Sequence, residues 1–438
     1  MNALLRFFSN LVGPAAVMAA GTMGAGAVAS LLLAGAWFRY DLLWVILAML
    51  PVFVISVDSA SRIGALNPHM GMFSLVRERI SSSLAWFMLL LIVPVHFLVT
   101  MGQISVMSSA FISLLGQSDV AARPAASLSI GLQLVLSLVL SAAVLWLVFS
   151  RGYARMQRVM TLLMVLMFVC FLVVALRGLA EWRAILAGFV PSLPADLPVP
   201  GSDAPRVATS SIIAMVGAAV APAALLGMPY LCADDGGGRA ELRHAFRQAI
   251  LNMGVVFGAY AIFVVVAGGF ALHSLPEHAS FADVSQASRV FRDVLPGILS
   301  TLGPTIFSLG LFTAAMTTLV VAAQVTIYFI LDMFALEWRF SDDNKLYHRA
   351  LTAFVLAAAA LAPLWDFPAL LKVILLMGIN VVVIPLGFII VLLLANNVAV
   401  MRGFQAEWWR NAVLVVGLLV SIVLAIDKAP LYYHMLTA

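Results

Sequence analysis

The chain contains few charged residues and very little cysteine. Charged side chains make up 10% of its 438 residues, and there are only two cysteines, Cys170 and Cys232. Their spacing matches neither a metal-ligand motif nor a disulfide framework, so we assign them no role. The sequence also lacks a nucleotide-binding loop, a catalytic triad and a carboxylate pair. These absences argue against an enzyme, and we expect no cofactor and no conventional metal site.

Most of the sequence is apolar. Hydrophobic residues account for 63% of the chain and the mean hydropathy is +1.09, which is far from the composition of a soluble domain. Apolar segments of roughly 20 residues, the length that crosses a bilayer, recur from Val12 onward. We therefore expect one integral membrane domain over residues 1–438. The first segment should remain in the mature protein, because further spans follow it at once.

The length of these segments predicts an all-α integral membrane protein with about eleven transmembrane helices. The predicted spans cover residues 12–38, 42–64, 83–114, 128–149, 158–178, 208–231, 249–271, 303–335, 349–364, 368–395 and 408–426. We interpret the first five spans, about 12–178, and the next five, about 208–395, as two repeats, followed by an extra helix at about 408–426.

Positive charge is concentrated in the loops after alternate spans. The basic residues there are Arg62, Arg77 and Arg79, then Arg151, Arg155 and Arg158, then Arg239, Arg243 and Arg247, then Arg339, Lys345 and Arg349, then Arg402 and Arg410. The positive-inside rule therefore predicts a cytoplasmic N-terminus and, after an odd number of spans, an external C-terminus. The same rule explains the net charge of +4 without nucleic acid. We expect a multi-pass monomer in the lipid bilayer of the cytoplasmic membrane.

Two spans are interrupted by small residues at corresponding places in the two halves. The first contains the run from Gly21 to Gly26, and the sixth contains the run from Gly217 to Pro222. Matching broken helices are typical of the binding site of a transporter built from inverted repeats. Such a break offers backbone N–H groups to an anion and carbonyls to a cation. Close helix packing uses the same small residues, and a lone proline also produces a passive kink.

Neutral polar side chains are sparse within the spans. Thr313 and Thr317 in the eighth span and Asn380 in the tenth are candidates for binding a solute. Intramembrane threonines, however, commonly bond the backbone of their own helix.

Ionisable side chains within the spans are rarer still. His96 in the third span could relay protons to Gln103 or to water, and Asp58 near the end of the second span is a further candidate for proton coupling. The alternatives are a histidine bonded to a neighbouring helix and an aspartate paired with Arg62.

An ungapped pattern in the first span and the turn after it resembles one known family. It consists of Gly13-Pro14, Gly21, Gly26, Ala34-Gly35-Ala36, Tyr40 and Leu42-Leu43-Trp44. The pattern is similar to the corresponding segment of the NRAMP divalent-metal transporters. Weaker similarity follows at Gly310-Leu311-Phe312, at Arg349 with Thr352, and at Pro385 with Ala395-Asn396. The resemblance runs nearly end to end and implies the leucine-transporter-type fold, with broken first and sixth helices and alternating access.

The metal-binding motifs of that family are replaced in this chain. Its first-helix motif Asp-Pro-Gly-Asn corresponds to Gly24-Ala25-Gly26-Ala27, and its sixth-helix motif Met-Pro-His to Ala221-Pro222-Ala223. A tenth-helix glutamine corresponds to Met377, and acidic residues of the third helix correspond to His96 and Gln103. By this resemblance the candidate substrate-binding residues are Gly21, Met23, Gly24, Ala25, Gly26, Ala27, Ala221, Pro222, Ala223, Thr313, Thr317, Met377 and Asn380.

Three functions are compatible with these features. Because the metal-ligand side chains are absent, we favour a proton- or sodium-coupled secondary transporter of a small organic solute, such as an amino acid or carboxylate, held in an enlarged uncharged pocket. The first alternative is a divalent-metal transporter in which carbonyls, Met23 and water bind the ion. The second is a membrane sensor that has lost transport.

Overall fold

The structure is a computed structural model, and every long element in it is an α-helix. It describes residues 13–115, 130–149, 153–197, 206–219, 222–234, 242–273, 284, 288, 297–341, 343–365 and 367–437. Within those ranges, ten helices are long and apolar enough to cross a membrane, and a bent pair at the start makes eleven. The predicted all-α membrane architecture with about eleven spans is confirmed.

The described helices are numbered in chain order. They are α1 Pro14–Thr22, α2 Ala25–Phe38, α3 Leu43–Leu66, α4 Met72–Arg79, α5 Ser82–Leu115, α6 Ile130–Phe149, α7 Tyr153–Gly178, α8 Trp182–Ala187, α9 Ala208–Ala219, α10 Pro222–Asp234, α11 Leu242–Ala249, α12 Phe257–Ala271, α13 Ile298–Met333, α14 Lys345–Leu361, α15 Ala369–Gly378, α16 Asn380–Asn396, α17 Val398–Met401 and α18 Trp408–Thr437.

The first span is broken where the sequence predicts it. Helix α1 starts at Pro14, whose fixed φ suits a first helical position, after Gly13 with a φ of 141° that favours glycine. Helix α1 ends at Thr22, and α2 starts at Ala25 after the extended residue Gly24. The two axes are bent by 52°.

The described residues of the sixth span form α9 and α10, and Ala208–Ala233 counts as one apolar span. Whether this span is broken at Pro222, as the sequence predicts, stays a prediction. Val220 and Ala221, which include one predicted site residue, lie outside the described residues.

Three details differ from the sequence-based expectation. Arg243 and Arg247, assigned to a loop by the sequence analysis, lie in α11, which continues through a π-helical stretch, Ile250–Val256, into α12. The tenth span is interrupted at Ile379, which keeps helical dihedral angles, so that α15 and α16 stay nearly continuous. Helix α4 lies between the second and third spans and has no counterpart among the predicted helices. The division of the chain into two repeats stays a prediction.

The broken first span lies at the centre of the bundle. All nine residues of α1 are buried, and α2 packs along α12 and against α9 and α15. The most extensive helix pair is α13 with α5, and both pass beside the break. The outermost spans are α18 and α6, of which 22% and 33% are buried inside the protein. The bundle therefore surrounds the break with protein instead of lipid.

Hydrogen bonds join three elements on the face of the bundle where Pro14 lies. We call that face the inner face, and the opposite face the outer face, after the predicted orientation. Tyr230 of α10 donates its hydroxyl to Asp332 of α13 (2.6 Å) and accepts from the backbone N–H of Phe73 in α4 (3.0 Å). Asp332 also accepts from the Ser74 hydroxyl (2.6 Å). We call Tyr230, Asp332, Phe73 and Ser74 the inner cluster.

Candidate functional site

The break in the first span leaves backbone groups without partners inside the helix. The first N–H groups of α2, beginning at Ala25, and the last carbonyls of α1 have no intrahelical partner by geometry. One of these carbonyls, that of Gly21, accepts the hydroxyl of Thr318 from α13. The break thus brings the helix-terminal carbonyls of α1 and N–H groups of α2 to the centre of the protein.

A small cavity adjoins this break. Its volume is about 20 Å³, close to the space of a single water molecule. Its walls come from α1, α5, α10, α13, α15 and α16. The lining includes Met18, Gly21, Thr22, His96, Ala223, Thr318, Val321, Ala322, Met377 and Asn380. Four predicted substrate-binding residues and one predicted proton-coupling residue therefore meet at one place.

His96 lines this cavity, and one of its two ring nitrogens has a hydrogen-bond partner. Its side chain is 2% exposed, and Nδ1 lies 2.9 Å from the hydroxyl of Thr326. That hydroxyl already donates to the carbonyl of Ala322 (2.6 Å), so it accepts from His96 and assigns the proton to Nδ1. The other nitrogen, Nε2, is buried and has no hydrogen-bond partner in the described part of the chain. In this tautomer Nε2 is free to accept a proton or to ligate a metal.

Two amides and a thioether lie beside the histidine. The side-chain N–H groups of Gln103 and Asn380 point at the sulfur of Met377, at 3.6 Å and 3.9 Å. The amide oxygens, Gln103 Oε1 and Asn380 Oδ1, are buried without partners among the described residues. Because a buried amide oxygen without a partner costs roughly 1–3 kcal/mol, such atoms call for an explanation.

The resulting donor set is polar but uncharged. The cavity is lined by the imidazole of His96, the amide of Asn380 and the thioether of Met377, beside the carbonyls of the break, and Gln103 lies behind Met377 without lining it. Within the described ranges no group of three or more His, Cys, Asp or Glu residues could hold a metal ion. The cavity is nevertheless suited to a cation or another small polar species, since acceptor atoms converge on it from several helices.

The glycines of the break are close-packed. A Cβ on Gly21 would lie 2.7 Å from Cβ of Val321, one on Gly24 would lie 2.6 Å from Cβ of Thr318, and one on Gly26 would lie 3.0 Å from Cβ of Met377. These glycines therefore let α13 and α15 approach the first span, as the packing alternative proposed. Among the described residues, side chains of α13 and α15 fill the space beside these glycines, where an enlarged pocket was expected.

Other predicted residues lie outside the cavity. Thr313 and Thr317 donate to carbonyls of their own helix, those of Gly310 (2.9 Å) and Ala314 (3.0 Å). The remaining predicted residues, Met23, Gly24, Ala25, Gly26, Ala27 and Pro222, are buried around the break but do not line the cavity. Their part in substrate binding stays a prediction.

Asp58 lies in a separate buried ion cluster. Its carboxylate pairs with Arg62 (3.1 Å) and with Arg410 of α18, and its own side chain is fully buried. The structure thus shows the ion pair that the alternative interpretation favoured. A role of Asp58 in proton coupling stays a prediction.

The set of candidates did not include Thr22. The sequence indicated Thr318 as one of four polar threonines of the eighth span, with Thr305, Thr313 and Thr317, but did not single it out. Thr318, Val321 and Ala322 all line the cavity, and their spacing of three and four residues places them on one face of α13. That spacing was visible in the sequence. The sequence did not show which face of α13 meets the broken helix.

Comparison with solved structures identifies the fold. A manganese transporter from Eremococcus coleocola, solved with an aromatic bis-isothiourea compound, matches with a TM-score of 0.71 at 16% identity, covering 95% of this chain and 85% of that one. MhsT in complex with L-phenylalanine matches with a TM-score of 0.63 at 15% identity, covering 94% and 98%. Together with the broken first helix, these matches show that the chain has the leucine-transporter-type fold.

Comparison of sequences gives the family. The family model described as natural resistance-associated macrophage protein-like matches residues 15–428. The chain belongs to this Nramp family. A relative from Acidiphilium cryptum (strain JF-5), named divalent metal cation transporter MntH, is 25% identical over 325 residues, which is 70% of this chain and 66% of that protein. Members of the Nramp family are transporters and not enzymes, in agreement with the sequence analysis.

Proposed function

We propose that this protein is a secondary transporter of a divalent first-row transition-metal cation, which it holds at the broken first helix with uncharged donors. The observation that carries the proposal is that His96, Met377 and Asn380 line one ion-sized cavity, while His96 Nε2 and Asn380 Oδ1 are buried without partners among the described residues. Alternating access would then expose this cavity to each side of the membrane in turn.

The size of the cavity favours an ion over an organic solute. A volume of about 20 Å³ accepts one water-sized species, whereas organic ligands occupy pockets of roughly 300–1,000 Å³. The preference for an amino acid or carboxylate, drawn from the sequence, is therefore replaced by its first alternative. The names of the relatives, a divalent metal cation transporter and a manganese transporter, support the same substrate class.

The chemistry of the donors favours a transition metal over a hard cation. Imidazole and thioether groups suit first-row transition metals, while Mg²⁺ and Ca²⁺ prefer oxygen ligands that usually include carboxylates. His96 supplies the imidazole, and its bond to Thr326 fixes the ring in the orientation that a ligand needs. The same lone pair binds either a proton or a metal, which would make ion binding compete with protonation.

Flux measurements test the proposal. We expect Mn²⁺, Fe²⁺ or Co²⁺ to reach a metal-sensitive dye trapped in proteoliposomes that contain the protein, and Mg²⁺ and Ca²⁺ to reach it far more slowly. His96→Ala should reduce the flux at least tenfold, because second-shell changes alone cost about 10–100-fold in metal affinity. Met377→Leu keeps the side-chain volume without the sulfur and should reduce it severalfold.

Met107→Leu is the matched control, because Met107 is a fully buried methionine of α5 that does not line the cavity. It should leave the flux unchanged. Absence of flux for every divalent metal, or equal flux in the wild type and His96→Ala, would contradict the proposal. Metal-dependent thermal stabilisation without any flux would favour the sensor alternative.

A further inference from the structure

A second and larger cavity opens toward the outer face. Its volume is about 330 Å³, and it lies between the outer half of the first span, α9, the tenth span and α18. The lining residues that matter are Ser30, Trp37, Arg206, Ser210, Ser211 and Lys428. This volume is at the lower end of the range for pockets that bind organic molecules.

The charged groups of this outer cavity are mainly positive. Arg206 lies 5.2 Å above the ring of Trp37, and Lys428 donates to the hydroxyl of Ser210 (2.9 Å). Asp427 lies 3.9 Å from the Lys428 amine, on a side chain that is 53% exposed. Asp196 accepts the backbone N–H of Ala208 at the start of α9 (3.1 Å). In the described ranges no ion pair involves Arg206.

A buried hydroxyl adds an unused polar group. Ser211 lines the outer cavity and is 4% exposed, yet its Oγ has no hydrogen-bond partner among the described residues. It lies one residue after Ser210, which already holds Lys428. A guanidinium, an ammonium and a buried hydroxyl on one cavity form the combination that recognises the oxygens of a carboxylate or phosphate.

We propose that the outer cavity binds a small soluble anion that carries carboxylate or phosphate groups. Arg206 and Lys428 supply the charge, and Ser211 supplies a hydroxyl donor. The cavity extends inward to Gly378, the neighbour of Met377 in the central cavity. The bound anion would therefore lie on the outer side of the break. Its negative charge would offset the positive potential of Arg206 and Lys428 for a cation that enters from the outer face.

Binding of defined anions to the purified full-length protein tests this proposal. The probes are citrate, inorganic phosphate and acetate, titrated calorimetrically in neutral detergent and in metal-free buffer without a carboxylate chelator. A parallel arm adds phosphatidylglycerol to the micelles, because a lipid headgroup carries the same phosphate chemistry. We expect at least one soluble anion to bind and Arg206→Gln and Lys428→Gln to weaken it at least tenfold each. Ser211→Ala should weaken it about threefold.

Arg183→Gln is the matched control, because Arg183 is an exposed arginine 5.4 Å above the ring of Trp182 that does not line the cavity. The affinity of Arg183→Gln for the soluble anions should equal that of the wild type. No binding of any soluble anion, a response to phosphatidylglycerol alone, or equal loss in Arg183→Gln and Arg206→Gln would overturn the proposal. Thermal midpoints near that of the wild type establish that the variants fold. Because metal is absent throughout, the result is independent of the cation flux proposed above.

Discussion

Gly24 occupies the narrowest contact between the broken span and α13. We expect Gly24→Ala to destabilise the protein by about 1–3 kcal/mol, because the new Cβ would overlap the hydroxyl oxygen of Thr318, which Thr318→Ala removes, and overpacking of this kind has that cost. Unfolding of the purified protein in detergent measures the change. In the double variant Gly24→Ala/Thr318→Ala the cost should be partly relieved, with a coupling of at least about 0.5 kcal/mol.

Gly131→Ala is the control for this prediction. Gly131 lies in α6, and no atom comes within 4 Å of the place that an added Cβ would take, so alanine should be neutral or should stabilise that helix by about 0.5–1 kcal/mol. Full stability of Gly24→Ala, or strictly additive effects with Thr318→Ala, would show that the glycine lines open space instead.

At the level of single residues, the sequence indicated several residues of the central cavity, but it did not predict which of them contact one another. It indicated Gly21 as a break residue, and His96 and Asn380 as rare polar groups in apolar spans. Met377 was indicated only through the family resemblance. The sequence could not predict that Gly26 faces Met377, since two residues so far apart in the chain meet only through helix packing. The proton position on His96 depends on Thr326, and no local pattern links these two residues.

The inner cluster joins three helices through one buried carboxylate. We expect Tyr230→Phe to loosen the inner ends of α10 and α13, because it removes the hydroxyl that donates to Asp332 and accepts from Phe73. In a Cys170→Ala background, Cys232 of α10 is the remaining thiol, and it is only 9% exposed in this structure. Its labelling by a polar maleimide should become severalfold faster in Tyr230→Phe.

Tyr260→Phe controls for the loss of a buried tyrosine hydroxyl, because Tyr260 is fully buried in α12 and lies outside the inner cluster. It should not accelerate labelling of Cys232. Equal labelling in Tyr230→Phe and the wild type would mean that the inner cluster does not hold α10 in place.

Helices with long apolar runs were predicted accurately from the sequence, whereas short or polar helices were not. Long spans such as α3 and α5 end within two residues of their predicted limits, because the length of a bilayer-crossing run is a strong constraint. Helix α4 has only eight residues and a basic last turn, which read as a loop. The π-helical stretch before α12 depends on packing against α3 and has no sequence signature of its own.

On the scale of the whole molecule, the fold alone does not determine the substrate, because proteins described with different ligands share it. Solved structures with a manganese transporter's name and with bound L-phenylalanine both match this chain at 16% identity or less, so the shared architecture does not select the solute. Selection rests on the side chains around the break and on the volume that their packing leaves. The orientation of the termini, cytoplasmic for the N-terminus and external for the C-terminus, stays a prediction.

The uncharged donor set leaves a bound dication fully exposed to the electrical potential across the membrane. Each charge that crosses 100 mV gains about 2.3 kcal/mol, so a dication without a compensating carboxylate gains about 4.6 kcal/mol. Uptake into proteoliposomes should therefore increase severalfold when valinomycin and a potassium gradient make the interior negative, and it should decrease when the gradient is reversed. Uptake that ignores the imposed voltage would mean that another charge moves with the ion. In a cell the membrane voltage would then accumulate the metal.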